Sequence, residues 1–277
     1  MKRMIYLTAS AFVAATVITP VAAAAEPVAI SATRADAWEF TAFIYGYYPD
    51  INTKATFPNG QGADVTVDAS DIYNNLKFGL LGTFEARKGQ WGVFTDVMYL
   101  DVGAFNSQVR NFQVGHQALP ADVSASANFD FKTVVWTLAA TYRAIETKDG
   151  VLDVFGGARL LDIKESLDWT LNGNIGQIPA PGRAGTQSLK NHNIDAVVGI
   201  KGRAALGRDR RWFIPYYADI GTGDSDLTWQ AMTGLGYAFG WGEVLGGWRY
   251  LDYQFKSDAN IESMNLSGPL LGVAFHW

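Results

Sequence analysis

The strongest constraint on this chain is the recurrence of long segments in which apolar residues alternate with polar or small ones. Segment 226–239 places Leu227, Trp229 and Leu235 on one face and groups such as Gln230 on the other. A period of two is typical of a β-strand, because successive side chains point to opposite faces. Long strands with one apolar face are typical of the walls of membrane β-barrels.

Ten segments follow this pattern, and the hydrophobic phase slips in two of them, near Lys132 and near 160–161. We interpret these slips as β-bulges or as water-exposed extensions of the strands. The segments are 37–48, 77–87, 91–102, 127–144, 151–168, 193–205, 211–221, 226–239, 243–256 and 264–277. The sequence therefore predicts an all-β fold, an antiparallel up-and-down transmembrane β-barrel of about ten strands. Eight or twelve strands are the alternatives.

The links between these segments are sorted by length. Short links cover 88–90, 146–150, 207–210 and 240–242, longer ones cover 49–76, 103–126, 169–192 and 257–263, and the short link 221–225 is an exception. Membrane barrels have short periplasmic turns and longer external loops, whereas a soluble sandwich or lipocalin-like barrel has no reason to sort them.

We expect little regular structure in the long links, for example in 172–185. In 49–76 we expect a hairpin near 58–60 and a helical turn begun by Ser70 or Asp71.

The first residues are typical of an export signal. Lys2 and Arg3 precede an apolar run over 4–18, and the alanines at 23–25 are the small residues that a signal peptidase requires. The run is short for a membrane helix, and an uncleaved N-terminal anchor is the alternative. We predict a signal peptide over 1–25 and one outer-membrane β-barrel domain over 26–277.

Composition narrows the classes of function. With no cysteine in the chain, disulfides and thiolate metal sites are excluded. A net charge of -5 gives no reason to expect a nucleic-acid partner. No residue spacing indicates a metal or a cofactor, and we predict neither.

The last segment carries apolar residues at alternate positions and ends on an aromatic one: Leu271, Val273, Phe275 and Trp277. This strand resembles the final strand of small bacterial outer-membrane barrels, the group that includes OmpA-type and OmpX-type domains. The resemblance implies export through the periplasm to the cell outer membrane. It implies that these four residues form an insertion signal read by the barrel-assembly machinery. Periplasmic chaperones, outer-membrane lipid and lipopolysaccharide are the other partners it implies, and it carries over no catalytic residue.

If the apolar faces meet lipid, the opposite faces line the lumen. Their charges are of mixed sign, and enclosed charges must pair, form hydrogen bonds or meet water. The predicted lumen charges are Lys77, Glu85, Arg87, Asp96, Arg143, Asp153, Arg159, Asp195, Lys201, Arg203 and Asp219, with Arg249 as a further candidate. A barrel of about ten strands is narrow. The sequence favours a salt-bridged plug with a structural role, but leaves open a narrow passive pore.

Two further functions remain as alternatives. The long links could recognise or adhere to other surfaces. A hydrolase at the lumen or rim would need a histidine, and only His116, His192 and His276 are present, with His192 and Asp195 expected on opposite faces. We predict no enzyme activity.

We also expect a set of aromatic residues to form interfacial girdles: Tyr45, Tyr47, Tyr48, Trp91, Tyr99, Trp212 and Tyr237.

Overall fold

The computed structural model describes residues 37–56, 62–106, 113–114, 117–118, 123–175, 178–179, 183–256 and 261–277. The predicted signal peptide over 1–25 lies outside these residues. The elements are β1 (Trp38–Tyr47), β2 (Asp50–Thr56), β3 (Gly62–Val67), α1 (Ala69–Asn75), β4 (Leu76–Lys88), β5 (Trp91–Asn106), β6 (Gln113–Val114), β7 (Gln117–Ala118), β8 (Val123–Thr147), β9 (Gly150–Ile175), β10 (Ile178–Pro179), β11 (Arg183–Leu206), β12 (Trp212–Gly223), β13 (Ser225–Ala238), β14 (Glu243–Phe255) and β15 (Ile261–His276).

Ten strands form a closed antiparallel barrel, which confirms the predicted fold. They follow the order β1–β4–β5–β8–β9–β11–β12–β13–β14–β15. The last strand pairs with the first, in a register that sets Thr41 opposite His276 and Tyr47 opposite Leu270. Because the sheet has no open edge in the membrane, its backbone hydrogen bonds can all be made between strands. The short turns and the C-terminal strand end lie at one end, the periplasmic end of such barrels.

A hairpin and a short helix connect β1 to β4 at the external end. β2 continues along β15 beyond β1 and pairs with β3, so the predicted hairpin is present; its turn falls outside the described residues. α1 begins at Ala69, slightly earlier than expected, and the backbone amide of Ala69 donates to the Asp50 carboxylate at 2.9 Å. Ile72 of α1 is buried in the apolar interior. The helix therefore helps to close the external end.

The outer face of the barrel is apolar around its middle. Large aliphatic and aromatic side chains are exposed there, including Ile44, Leu80, Phe84, Leu138, Val154, Ile194, Val198, Ile200, Ile220, Leu235, Trp248 and Leu271. An exposed apolar surface of this extent indicates contact with lipid. The protein is thus an integral barrel of the outer membrane. No helix among the described residues has the length and apolar character needed to cross a bilayer.

A girdle of aromatic rings lies at the periplasmic end. Successive ring centroids are 4.7–5.8 Å apart along Trp212, Tyr237, Phe239, Trp241 and Phe275. Phe40, Phe84 and Trp277 form a second group with centroids within 6.2 Å. Aromatic rings favour this depth because they combine apolar bodies with polar or polarisable edges.

The prediction that Tyr45 and Tyr47 belong to a girdle is wrong. Both point into the barrel and are only 6% and 8% exposed. The Tyr45 hydroxyl donates to Asp96 at 2.9 Å, and that of Tyr47 donates to the Arg249 carbonyl at 3.1 Å. A tyrosine can serve on either face of such a strand, since its hydroxyl needs only a polar partner.

Three strands extend well beyond the membrane, contrary to the expectation that 169–192 is mostly irregular. β8, β9 and β11 contain 25, 26 and 24 residues, whereas about 9–11 residues suffice to cross a bilayer. β9 and β11 remain paired as far as Leu171 and Arg183. The external link is therefore largely a projecting sheet of three strands.

Outward-facing charges mark where the lipid-facing surface ends. Asp101 of β5 and Lys132 of β8 form an ion pair at 2.7 Å on the outer face. Hydrogen bonding from Lys132 lowers the pKa of Asp101, which is partly exposed. The phase slip at Lys132 is therefore an extension into water. No bulge occurs at Lys132 or at 160–161; the register of β8 and β9 shifts at Arg143/Ile145 instead.

Gly157 gives a test of the barrel geometry. A Cβ atom there would lie 2.1 Å from the Leu138 carbonyl oxygen, whereas one at the adjacent Gly156 would have no neighbour closer than 3.8 Å. We expect Gly157→Ala to lower the free energy of unfolding by about 1–3 kcal/mol because the paired strands must move apart. Urea unfolding in lipid vesicles measures this, with Gly156→Ala as the matched control. Equal stability of the two variants would contradict the strand packing.

Candidate functional site

The barrel interior is the candidate functional site, and its charges balance. All the predicted lumen charges except Lys77 project inward, as does Arg249. The interior also holds Glu243, which sequence reasoning missed. Six basic and six acidic groups result: Arg87, Arg143, Arg159, Lys201, Arg203 and Arg249, with Glu85, Asp96, Asp153, Asp195, Asp219 and Glu243. Among the residues that the structure describes, the inward-facing charges therefore balance.

Lys77 does not belong to this interior set. The register of β4 against β5 shifts between Leu76 and Phe78, at the external end of the strand. The Lys77 side chain is 60% exposed and forms an ion pair with Asp130 at 3.3 Å. Strand parity counted from Glu85 fails here because the irregularity breaks the alternation.

A network of five charges fills the periplasmic part of the lumen. Arg87 contacts Glu85 and Asp153, each at 2.5 Å, and Arg143 contacts Asp153 at 2.6 Å. Lys201 of β11 reaches across the lumen to Glu85 of β4. Contacts between strands that are not neighbours in the sheet can form only through the interior. This network therefore links opposite walls.

Glu243 closes the periplasmic mouth. It forms ion pairs with Arg203 and, at 3.4 Å, with His276. The His276 ring also lies 3.0 Å from the Thr41 hydroxyl, which belongs to β1. Glu243 is the first residue of β14 and directly follows the turn 240–242. The alternation of the preceding strand therefore does not predict whether its side chain points inward or outward.

Arg249 and Asp96 form the central ion pair. Arg249 contacts Asp96 at 2.9 Å and also donates to Gln230 at 2.9 Å and to the Tyr45 hydroxyl at 2.6 Å. Thr83 donates a further hydrogen bond to Asp96 at 2.8 Å. These groups come from β1, β4, β5, β13 and β14. Because β5 and β13 lie opposite each other in the barrel, the pair and its partners span the lumen.

A second buried ion pair joins Arg159 to Asp219. Both side chains are fully buried. Arg159 also donates to Thr137 at 3.2 Å and to Thr228 at 3.4 Å, and Tyr217 donates to Asp219 at 2.6 Å. Such partners offset the cost of removing both charges from water.

Asp195 has a different role from the paired carboxylates. It is fully buried and accepts a hydrogen bond from the Ser225 backbone amide at 2.8 Å. The neighbouring Ile194 amide donates to Asp224 at 2.9 Å. These two contacts tie the tight external turn between β12 and β13 to β11. Link 221–225 is short for an external link, and the hydrogen bonds accepted by Asp195 and Asp224 fix its position.

Aromatic rings occupy the space between the charged groups on the periplasmic side. Phe94 and Phe155 meet edge to face with centroids 5.1 Å apart, and Tyr217 lies 5.2 Å from Phe155. The Lys201 ammonium lies 4.7 Å above the Phe94 ring. A cation over an aromatic face is attracted by the ring quadrupole.

The external half of the interior is an apolar layer rather than a polar lumen. Inward-facing residues from many strands and Ile72 of α1 are buried together in one cluster, which is mainly external but includes Leu245 on the periplasmic side of Arg249: Tyr45, Tyr47, Ile51, Ile72, Met98, Leu100, Val102, Phe131, Val135, Leu161, Ile163, Leu245, Leu251, Tyr253, Phe255, Ile261, Met264, Leu266 and Leu270. Met98, Leu161 and Leu266 have no exposed surface. The interior therefore has a charged layer that is mainly central and periplasmic and an apolar layer that is mainly external. Asp195 of the charged layer lies beside the external turn 221–225.

Both histidines in the described part of the chain lie beside a carboxylate. His192 lies 3.5 Å from Asp162, and both are exposed on the outer face, whereas Asp195 points inward as expected from parity. His276 lies at the periplasmic mouth beside Glu243. His116 falls outside the described residues.

Comparisons with known proteins assign no specific role. No family model matches the chain, and no curated protein matches its sequence. Among solved structures, the outer membrane protease OmpT of Escherichia coli has a TM-score of 0.49 at 7% identity, covering 86% of this chain and 95% of that one. Ail, the attachment invasion locus protein of Yersinia pestis, has a TM-score of 0.31 at 11% identity, covering 87% and 99%. The translocator domain of the autotransporter NalP from Neisseria meningitidis has a TM-score of 0.38 at 16% identity, covering 86% and 88%.

The central ion pair can be tested by removing one or both partners. We expect Arg249→Met to lower the free energy of unfolding by about 3–5 kcal/mol, because it leaves Asp96 charged and buried without its cation. The double variant with Asp96→Leu should lose less than the sum of the single losses. Urea titration in vesicles provides the measurement. Lys132→Met is the control, since its exposed pair should contribute less than about 1 kcal/mol. Additive losses would refute the coupling.

Proposed function

We propose that this protein is a closed, non-conducting barrel with a structural role in the outer membrane. The observation that supports this is the filling of the lumen by two layers in series. The charged layer links opposite walls through Lys201 and Glu85, and the central pair of Arg249 and Asp96 lies between β14 and β5. Above them, Met98 and Leu266 belong to a fully buried apolar layer.

Each layer opposes an ion by a different mechanism. In the charged layer, a permeating ion would have to displace a partner from a buried pair, which leaves an uncompensated charge. In the apolar layer it would lose its hydration without gaining ligands. A narrow selective pore instead needs water and an excess of one charge along its wall. Six charges of each sign, mutually paired except for Asp195, favour a plug.

The proposal includes the absence of catalysis. A general base must lie within hydrogen-bond reach of the group it activates. His192 pairs only with an exposed carboxylate on the outer face, and His276 is held by Glu243 and Thr41. Within the described residues, the hydroxyl recorded beside an imidazole is that of Thr41, 3.0 Å from the His276 ring, and we assign this contact to holding β15 against β1 rather than to catalysis.

Planar-bilayer recording tests the closed barrel. The reconstituted protein should give no resolvable conductance steps at moderate voltage. A variant with Glu85→Ala and Lys201→Ala, which removes one link across the charged layer, should also be silent because the central ion pair and the apolar layer are unchanged. An established porin in the same bilayer is the positive control. Reproducible steps from the unaltered protein would overturn the proposal.

A second candidate function is recognition at the cell surface, and the projecting sheet favours it. β8, β9 and β11 carry an ordered platform beyond the lipid-facing surface, with β9 paired on both sides. A paired backbone there costs less entropy to order on binding than an irregular loop. This role is compatible with a closed lumen, because it requires only that the barrel anchor the sheet.

Shortening the β9–β11 hairpin tests this candidate. Replacing 170–184 with a two-residue turn removes the outermost paired positions and leaves the barrel strands intact. We expect the shortened protein to insert normally and expressing bacteria to lose adhesion to host cells or matrix proteins. Heat-modifiable gel mobility verifies folding. Adhesion that is equal with and without the hairpin would eliminate the candidate.

A further inference from the structure

An apolar groove lies on the outer surface near the periplasmic girdle. It has a volume of about 460 Å³ and is lined by Trp212, Leu235, Gly236, Tyr237, Phe239, Val244 and Gly246. Gly246 is paired with Leu235 on one side and with Leu271 on the other. Because Gly246 has no side chain, the surface is hollow between these larger neighbours. The groove faces lipid rather than the lumen, since Leu235 and Trp212 are exposed on the outer face.

The turn beside this groove is rich in arginine. Arg208, Arg210 and Arg211 lie between β11 and β12, with Asp209 as the acidic residue among them. Arg210 has a positive φ of 53° and pairs with Asp149 at 3.2 Å. Arg208 and Arg211 form no ion pair with the part of the chain that the structure describes. Two exposed guanidinium groups therefore remain at the edge of the membrane.

One hydrogen bond connects the arginine turn to the groove. The Arg211 guanidinium lies 3.4 Å from the hydroxyl of Tyr237, which lines the groove. Tyr237 in turn packs against Trp212 with ring centroids 4.9 Å apart. Cationic groups thus lie at the periplasmic end of the apolar groove. This arrangement is complementary to an anionic lipid, whose charged headgroup adjoins its apolar chain.

We propose that the groove and the turn together bind one anionic phospholipid of the periplasmic leaflet. An acyl chain lies over Gly246, and the phosphate meets Arg211 and Arg208. Guanidinium groups bind phosphate oxygens through paired, charge-assisted hydrogen bonds. Basic residues next to the membrane also attract anionic lipids. The charge of the turn favours this occupant over a second copy of the chain, which would bring the same cations to the interface.

Native mass spectrometry of the purified full barrel, titrated with phosphatidylglycerol or phosphatidylethanolamine, tests the headgroup. We expect one phosphatidylglycerol to bind at least about tenfold more tightly than phosphatidylethanolamine, since the second headgroup is neutral overall. The variant with Arg208→Gln and Arg211→Gln should lose this preference. Lys88→Gln, in another periplasmic turn, is the matched control and should keep it.

The groove is tested by filling it. A Cβ atom at Gly246 would lie 3.5 Å from the Leu271 side chain, an ordinary contact, so Gly246→Leu should fold and occupy the hollow. Gly156→Leu is the control, because Gly156 is outward-facing and equally open but far along the sheet. We expect Gly246→Leu to weaken phosphatidylglycerol binding about tenfold and Gly156→Leu to leave it unchanged. Heat-modifiable mobility verifies that each variant is folded.

Several outcomes would overturn the proposal. Equal affinity for the two phospholipids would mean that the arginines do not discriminate between an anionic and a neutral headgroup. Equal effects of Gly246→Leu and Gly156→Leu would mean that the groove does not hold the chain. A preference for lipid A, or a dimer abolished by Gly246→Leu, would assign the surface to another occupant. None of these results bears on the closed lumen, so the two proposals fail separately.

Discussion

Closure of the sheet between β15 and β1 is the constraint on which the rest of the structure depends. A strand edge left open in hydrocarbon would carry backbone groups without partners, and the register from Thr41 to Tyr47 removes that edge. Closure with ten strands then sets a narrow interior. Everything that points inward must fit and find partners there, whereas everything that points outward must be compatible with lipid.

The interior meets this constraint in two chemically different ways. Toward the periplasm, charges from separate strands neutralise one another, as Arg87 and Asp153 do. Toward the exterior, apolar side chains such as Leu161 pack as in a soluble protein core. Both layers stabilise the barrel by linking its walls. The same geometry leaves the outer face free to bind lipid and the long strands free to project into the medium.

The alternation made the barrel, its strand number and most lumen charges predictable, because a period of two assigns faces directly. The prediction failed where the polarity of a strand face changes while the strand stays regular, and where the strand is irregular while the polarity pattern continues. At Leu161 the strand stays regular while its inward face turns apolar, which resembles a phase slip in sequence. At Lys77 the opposite happens, since a register shift breaks the parity. Tyr45 and Glu243 depend on cross-barrel partners that one sequence cannot reveal.

The central claim is that the interior is filled, and the absence of cysteine from the chain allows a direct test. Met98→Cys places a thiol at a position with no exposed surface in the apolar layer. In the folded, vesicle-reconstituted barrel this thiol should resist a small water-soluble thiol reagent. Ser70→Cys, at an exposed position of α1, should react at once, and both should react after denaturation. Rapid labelling of the cysteine at position 98 in the folded protein would show that water reaches the interior and would contradict the account.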